Sequence, residues 1–197
     1  MSSGDPETKK RIMNKTLQLL QQRKGLGVRI EDVANAAGIS RQAVYMYFPN
    51  RTQLFVETAR YVDQIQGLDE RLQEFRHASG GLNTLQTFVR FWGNYIPKIF
   101  GLAKVLRELR DTDKAAAAAW DDRMQALRYG CQCVIDCLDH EGLLASGLTP
   151  DQAVDLLWGL LSIALWEDLT VDRKWTQAEY LDRILLASQR ILVRIDT

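Results

Sequence analysis

Arg41, Gln42, Tyr45, Tyr47 and Arg51 crowd into one stretch, AGISRQAVYMYFPNR, at residues 36–51. A guanidinium can bond both O6 and N7 of guanine, and a Gln amide can do the same to N6 and N7 of adenine. Tyrosine hydroxyls and cations hold phosphate oxygens and so set the register of a docked duplex. Val44 and Phe48 are four residues apart, which on a helix puts them on one face. If that face is buried, Arg41, Gln42 and Tyr45 share the outward one. Arg51 follows Pro49 and sits at the start of a further helix, the end that attracts anions.

A second cluster is sulfur-rich. Cys133, Cys137 and His140 fall at i, i+4 and i+7, with Cys131 and Glu141 nearby. That spacing shares one helical face, but there is no C-x-x-C pair and a whole metal site seldom comes from one helix. Buried free thiols behave as small apolar groups, so no metal or cofactor is assigned. The three cysteines form no disulfide framework and fit a reducing compartment. There is no glycine-rich phosphate loop and no nucleophile elbow, and the two histidines, His77 and His140, lie in unrelated segments. Catalysis is not expected.

The elements that would position these residues read as helices throughout. Asp5-Pro6 opens the first, with Ile12, Thr16, Leu17, Leu19 and Leu20 as its apolar stripe and Gly25 as its stop. A short helix covers 30–37. The link Ala37-Gly38-Ile39-Ser40 turns the chain and caps a third helix from Ser40 to about Phe48. This is a helix-turn-helix pattern. Asn50 and Gln53 open a fourth helix, expected to reach about Arg76 with a bend at Gly67. Further helices are expected over 82–99, with Pro97 distorting the last turn, over 102–110, and over 113–141. Thr149-Pro150-Asp151-Gln152 and Thr176-Gln177-Ala178-Glu179 open the last two. The fold class is all-α, about nine helices: a three-helix N-terminal domain at 1–50 and a larger helical domain at 51–197.

The formal charge of zero conceals an asymmetry. Residues 1–60 hold ten Lys/Arg against five Asp/Glu, and the remainder holds 15 against 20. A basic end on an acidic chain points to a polyanionic partner there. The N-terminal residues show no apolar leader, and the most apolar run, 153–166, is too short to span a bilayer. A cytoplasmic protein associated with DNA, with no membrane partner, is expected.

The string VRIEDVANAAGISRQAVYMYFPNRTQLF resembles the N-terminal domain of TetR-type (tetracycline-repressor-like) transcriptional regulators. The resemblance rests on Asp32-Val33-Ala34, Ala37-Gly38-Ile39-Ser40, Arg41, Val44-Tyr45-Met46-Tyr47-Phe48 and Arg51, and covers about residues 8–60. It implies a ligand-responsive repressor that binds a palindromic operator as a dimer and lets go when a small molecule binds. The DNA-contacting set is then Arg29, Ser40, Arg41, Gln42, Ala43, Tyr45, Tyr47 and Arg51. Two positions depart from the family pattern. Arg29 stands where a Ser or Thr often caps the second helix, so fraying is expected there, and Gln42 stands where a small residue is common.

The resemblance also implies an effector pocket and a dimer interface in the larger domain. Candidate pocket residues are Phe91, Trp92, Tyr95, Trp120, Met124, Leu127, Cys131, Trp158, Leu161 and Trp166, a mostly aromatic set suited to an apolar ligand. Arg123 and Arg128 are read as a solvated face. Candidate interface residues, on the last two helices, are Leu156, Leu160, Ile184, Leu185, Ser188, Ile191 and Leu192. The alternative is a helical small-molecule or redox sensor whose N-terminal domain no longer reads DNA specifically.

Overall fold

The computed structural model describes residues 5–67 and 80–194, and among these the chain is all-α, with a single isolated antiparallel bridge between Leu144 and Val193. The helices are α1 (Pro6–Gln22), α2 (Ile30–Ala37), α3 (Arg41–Tyr47), α4 (Arg51–Ile65), α5 (Gly81–Leu109), α6 (Lys114–His140), α7 (Pro150–Leu160), α8 (Ile163–Trp166) and α9 (Gln177–Leu192). A π-helical turn, Glu167–Asp172, follows α8. The chain divides into two compact units. One holds residues 5–67 and 98–122, the other 80–97 and 123–194.

In the first unit α1 packs against α2 and α4, and α2 against α3. Asp5 caps α1, accepting the backbone N–H groups of Glu7 at 3.2 Å and Thr8 at 3.1 Å. The core takes Ile12, Leu17 and Leu20 from α1, Val33 and Ala34 from α2, Val44 from α3, and Leu54, Phe55 and Val62 from α4. Two buried threonines, Thr16 and Thr58, satisfy their hydroxyls on the carbonyls of Ile12 and Leu54. Asn14 donates to the Tyr61 hydroxyl at 3.0 Å and ties α1 to α4.

The fourth helix ends at Ile65 in the described chain, and its expected extension to Arg76, with His77, lies outside the described residues. The expected helices over 82–99 and 102–110 are one helix, α5, which runs through Pro97. Proline removes the N–H that would bond the Gly93 carbonyl. Gln177 of α9 supplies a substitute, its Nε2 donating to that carbonyl at 2.9 Å. Gly101, between the two expected helices, is a close approach: a Cβ there would collide with the Leu20 carbonyl at the end of α1.

In the second unit the capping boxes of α7 and α9 form as their sequences specify. The apolar run 153–166 is not one helix. Leu161 ends α7, and Ser162 caps α8 by accepting from the Leu165 N–H at 3.2 Å. The Leu161 carbonyl, the first acceptor outside the α7 ladder, takes the indole N–H of Trp92 at 2.9 Å. No described helix is long and apolar enough to cross a membrane.

Candidate nucleic-acid interface

The turn before α3 is fixed by backbone geometry. Gly38 ends α2 in the left-handed region (φ 67°, ψ 34°), where any side chain is strained. A Cβ at Gly38 would meet nothing within 4 Å, so conformation alone, not space, calls for glycine there. The Gly38 and Ile39 N–H groups bond back to Asn35 and Ala34. Ser40 then caps α3, its Oγ accepting from the Ala43 N–H at 3.0 Å.

Seven residues are too few for a helix to stand alone in water. What holds α3 is burial of Val44 and Phe48, both at zero exposure, worth on the order of 1.5–3 kcal/mol each. With that face buried, Arg41, Gln42, Tyr45 and Met46 are exposed, while Ala43 and Tyr47 are half-buried on the flanks. Tyr47 therefore stands less far out than the sequence pattern suggests. The Arg41 guanidinium lies 5.6 Å from the Tyr45 ring centroid and reaches its hydroxyl at 3.4 Å. Arg and Tyr are thus held as one cationic, flat-sided unit on the face.

The surroundings are cationic. Arg51, exposed at the first position of α4, lies 5.0 Å over the Phe55 ring. Arg29 is exposed at the start of α2. The fraying expected there is countered: Asp32 accepts the Arg29 backbone N–H at 2.9 Å and Arg23 at 2.8 Å. The Arg23 hydrogen bond first, and then the Arg29 N–H, hold the Asp32 carboxyl below the usual carboxylate range. Asn50 caps α4 on the Gln53 N–H at 2.7 Å, which leaves the first turn of α4 oriented with its N–H groups outward beside Arg51.

The residues expected to line a pocket divide. Trp92, Tyr95, Leu127, Cys131, Leu161 and Trp166 are buried in the second unit. Tyr95 stacks on Phe91 with centroids 6.1 Å apart and tilts against Trp92 at 5.7 Å. Trp166 donates its indole N–H to Gln177 at 3.0 Å. Phe91 and Met124 are half-buried, and Trp158 is 36% exposed. Trp120 belongs to the first unit, buried beneath the Arg110 guanidinium at 5.9 Å. Arg128 pairs with Asp155 at 2.9 Å between two exposed side chains, as a solvated face requires.

The interface residues divide as well. Ile184, Leu185, Ser188 and Leu192 are buried within the chain's own core, Leu160 is half-buried, and Leu156 and Ile191 are exposed at 40% and 38%. Burial pushes the Cys131 thiol up to about 12, so it is an inert apolar filler. Cys133 is half-buried and Cys137 exposed, and no group of His, Cys, Asp and Glu among the described residues could hold a metal.

The residue that the sequence pattern left out is Met46, 83% exposed in the middle of the reading face. Its signal was available, since it stands four residues after Gln42. An apolar side chain in a helix is assigned inward by default, and here that default fails.

A glycine-turned helix pair with a polar, cationic, outward second helix is a helix-turn-helix arrangement. Residues 12–58 match the model of the bacterial regulatory proteins of the tetR family. No curated protein is a significant match to the sequence. The fold extends over nearly the whole chain. A protein described as a transcriptional regulator from Saccharomonospora viridis, in complex with choline, is 16% identical, with 96% of this chain and 99% of that one covered and a TM-score of 0.83. A TetR transcription regulator from Haloarcula marismortui is 15% identical, covering 96% and 100%, at a TM-score of 0.72. The regulator FadR from Bacillus subtilis, in complex with stearoyl-CoA, is 13% identical, covering 91% and 96%, at 0.71.

Proposed function

We propose that the protein is a cytoplasmic repressor that binds a palindromic operator as a homodimer and is released by a small-molecule effector. Residues 1–50 form the DNA-binding domain, and residues 51–197 dimerise and bind the effector. The observation that carries this reading is α3 itself. A helix anchored by Val44 and Phe48 turns Arg41, Gln42 and Tyr45 to solvent, and cations stand on both flanks. Arg41 and Gln42 meet base edges, while Arg29, Ser40, Ala43, Tyr45, Tyr47 and Arg51 lie along the sugar-phosphate backbone.

One seven-residue helix makes few base contacts. A two-fold dimer doubles them and matches a palindrome whose half-sites are about 34 Å apart. Leu156 and Ile191, exposed on α7 and α9, support a second copy as their cover. Two proteins of this fold are seen in complex with choline and with stearoyl-CoA, and the aromatic cluster of Trp92, Tyr95 and Trp166 supports a largely apolar effector here. Such an effector releases DNA only by binding one spacing of the two recognition helices more tightly than the other.

The test is a gel shift with duplex fragments from the region upstream of the protein's own gene, repeated over a salt series. Retardation of a specific fragment, weakening steeply with salt, is the expected result. A monomer that ignores every fragment at low ionic strength refutes the proposal.

A further inference from the structure

Isolated apolar side chains on a protein surface are ordinary, so exposure alone says little about Met46. Its position says more. At 83% exposure it is the most exposed of the large apolar residues described, and it lies one helical turn beyond Gln42, about 6 Å along the axis. The two side chains therefore project from the same face. Arg41 and Tyr45 are bound to each other beside that face, through the hydroxyl contact at 3.4 Å and the ring at 5.6 Å. The exposed surface of α3 is thus a polar reader, Gln42, next to a flexible apolar tip, Met46, with a cation–aromatic pair alongside.

The major groove offers one apolar group for such a tip, the C5-methyl of thymine. A thioether suits it, being unbranched, polarizable and able to adjust to its contact. We infer that Met46 packs on a thymine methyl in each half-site, within about two base pairs of the base that Gln42 reads. The inference rests on the DNA-binding reading above. It assigns part of the operator's sequence preference to a residue that makes no hydrogen bond and carries no charge.

Replacing thymine by deoxyuridine deletes that methyl and nothing else. An operator is first obtained by selecting bound duplexes from a random-sequence pool with the full chain. Each thymine of a half-site is then replaced in turn, and affinities are measured for the wild type, Met46→Ala and Met46→Leu. One position per half-site should cost the wild type about fourfold, the worth of one buried methyl. Met46→Ala should bind more weakly with an unchanged salt slope and be indifferent to that replacement. Met46→Leu should keep the preference. Because the side chain is exposed, neither variant should disturb folding. A methyl preference that survives intact in Met46→Ala overturns the inference and leaves the proposed function standing. So does a Met46→Ala effect confined to self-association, which would mark the side chain as covered by a second copy. A pool from which no duplex is selected sinks both.

Discussion

Gln177 bridges two groups of the second unit. Its Nε2 donates to the Gly93 carbonyl at 2.9 Å, and its Oε1 accepts the Trp166 indole N–H at 3.0 Å. The carbonyl needs a donor because Pro97, four residues on, has no N–H to give. Gln177→Leu keeps most of the side-chain volume and removes both bonds. The Gly93 carbonyl left unpaired costs about 1–2 kcal/mol, the lower half of the usual range because the bond is only partly buried, and the lost Trp166 bond about 0.5–1.5 kcal/mol. The sum is roughly 1.5–3.5 kcal/mol, or about 3–14 °C in Tm for a chain of this size. Pro97→Ala restores a helical donor to Gly93. In that background Gln177→Leu should lose only the Trp166 bond and cost about 0.5–1.5 kcal/mol, a coupling of about 1–2 kcal/mol between residues 97 and 177. Urea denaturation of the four proteins measures this directly. Equal costs in the two backgrounds would refute the claim that Gln177 stands in for the missing amide. A cost below about 0.5 kcal/mol in the wild type would refute the bridge altogether.

At the DNA end, Arg41→Ala and Gln42→Ala should each relax base preference by about 1–3 kcal/mol, read as affinity for matched against mismatched duplexes. Arg51→Ala should instead weaken all sequences alike and lower the salt slope by about 0.9; a change in base preference would place Arg51 at a base. Tyr180 has zero exposure, and its buried hydroxyl has no hydrogen-bond partner. Tyr180→Phe should therefore leave stability unchanged or raise it, since no bond is lost; a loss of more than about 1 kcal/mol on denaturation would reveal a hidden partner. Asp5, Asp32, Asp113 and Glu179 are all held below their ordinary carboxylate range, chiefly by hydrogen bonds from cap N–H groups and neighbouring side chains. A depressed folded-state pKa contributes stability above the unfolded value and loses it as pH falls through the folded one. The denaturation midpoint should hold near neutrality and drop below about pH 4, and Asp113→Ala should flatten that drop.

The orientation of α3 was legible because its determinants are local. A glycine at a left-handed turn, a serine that caps its own helix, and Val44 and Phe48 one turn apart decide among themselves which side of α3 faces out. The same holds for the capping boxes of α7 and α9, where each end is fixed by bonds spanning three residues. Met46 was left out of the outward set because apolarity by itself does not carry direction. The break at Ser162 escaped because a long apolar run reads the same whether it is one helix or two.

What only the tertiary structure decided are contacts between residues far apart in the chain. Pro97 was expected to distort the last turn of a helix over 82–99, and α5 passes through both Pro97 and Gly101. Gln177, 84 positions from Gly93, replaces the lost hydrogen bond, and the bare α-carbon of Gly101 admits the end of α1. Likewise Ile184, Leu185 and Leu192 share a helix with Ile191, yet only Ile191 is left exposed. Periodicity identifies the apolar residues of a helix; how many of them its own chain covers depends on which neighbours fold against it, and neighbours are set by packing at a distance.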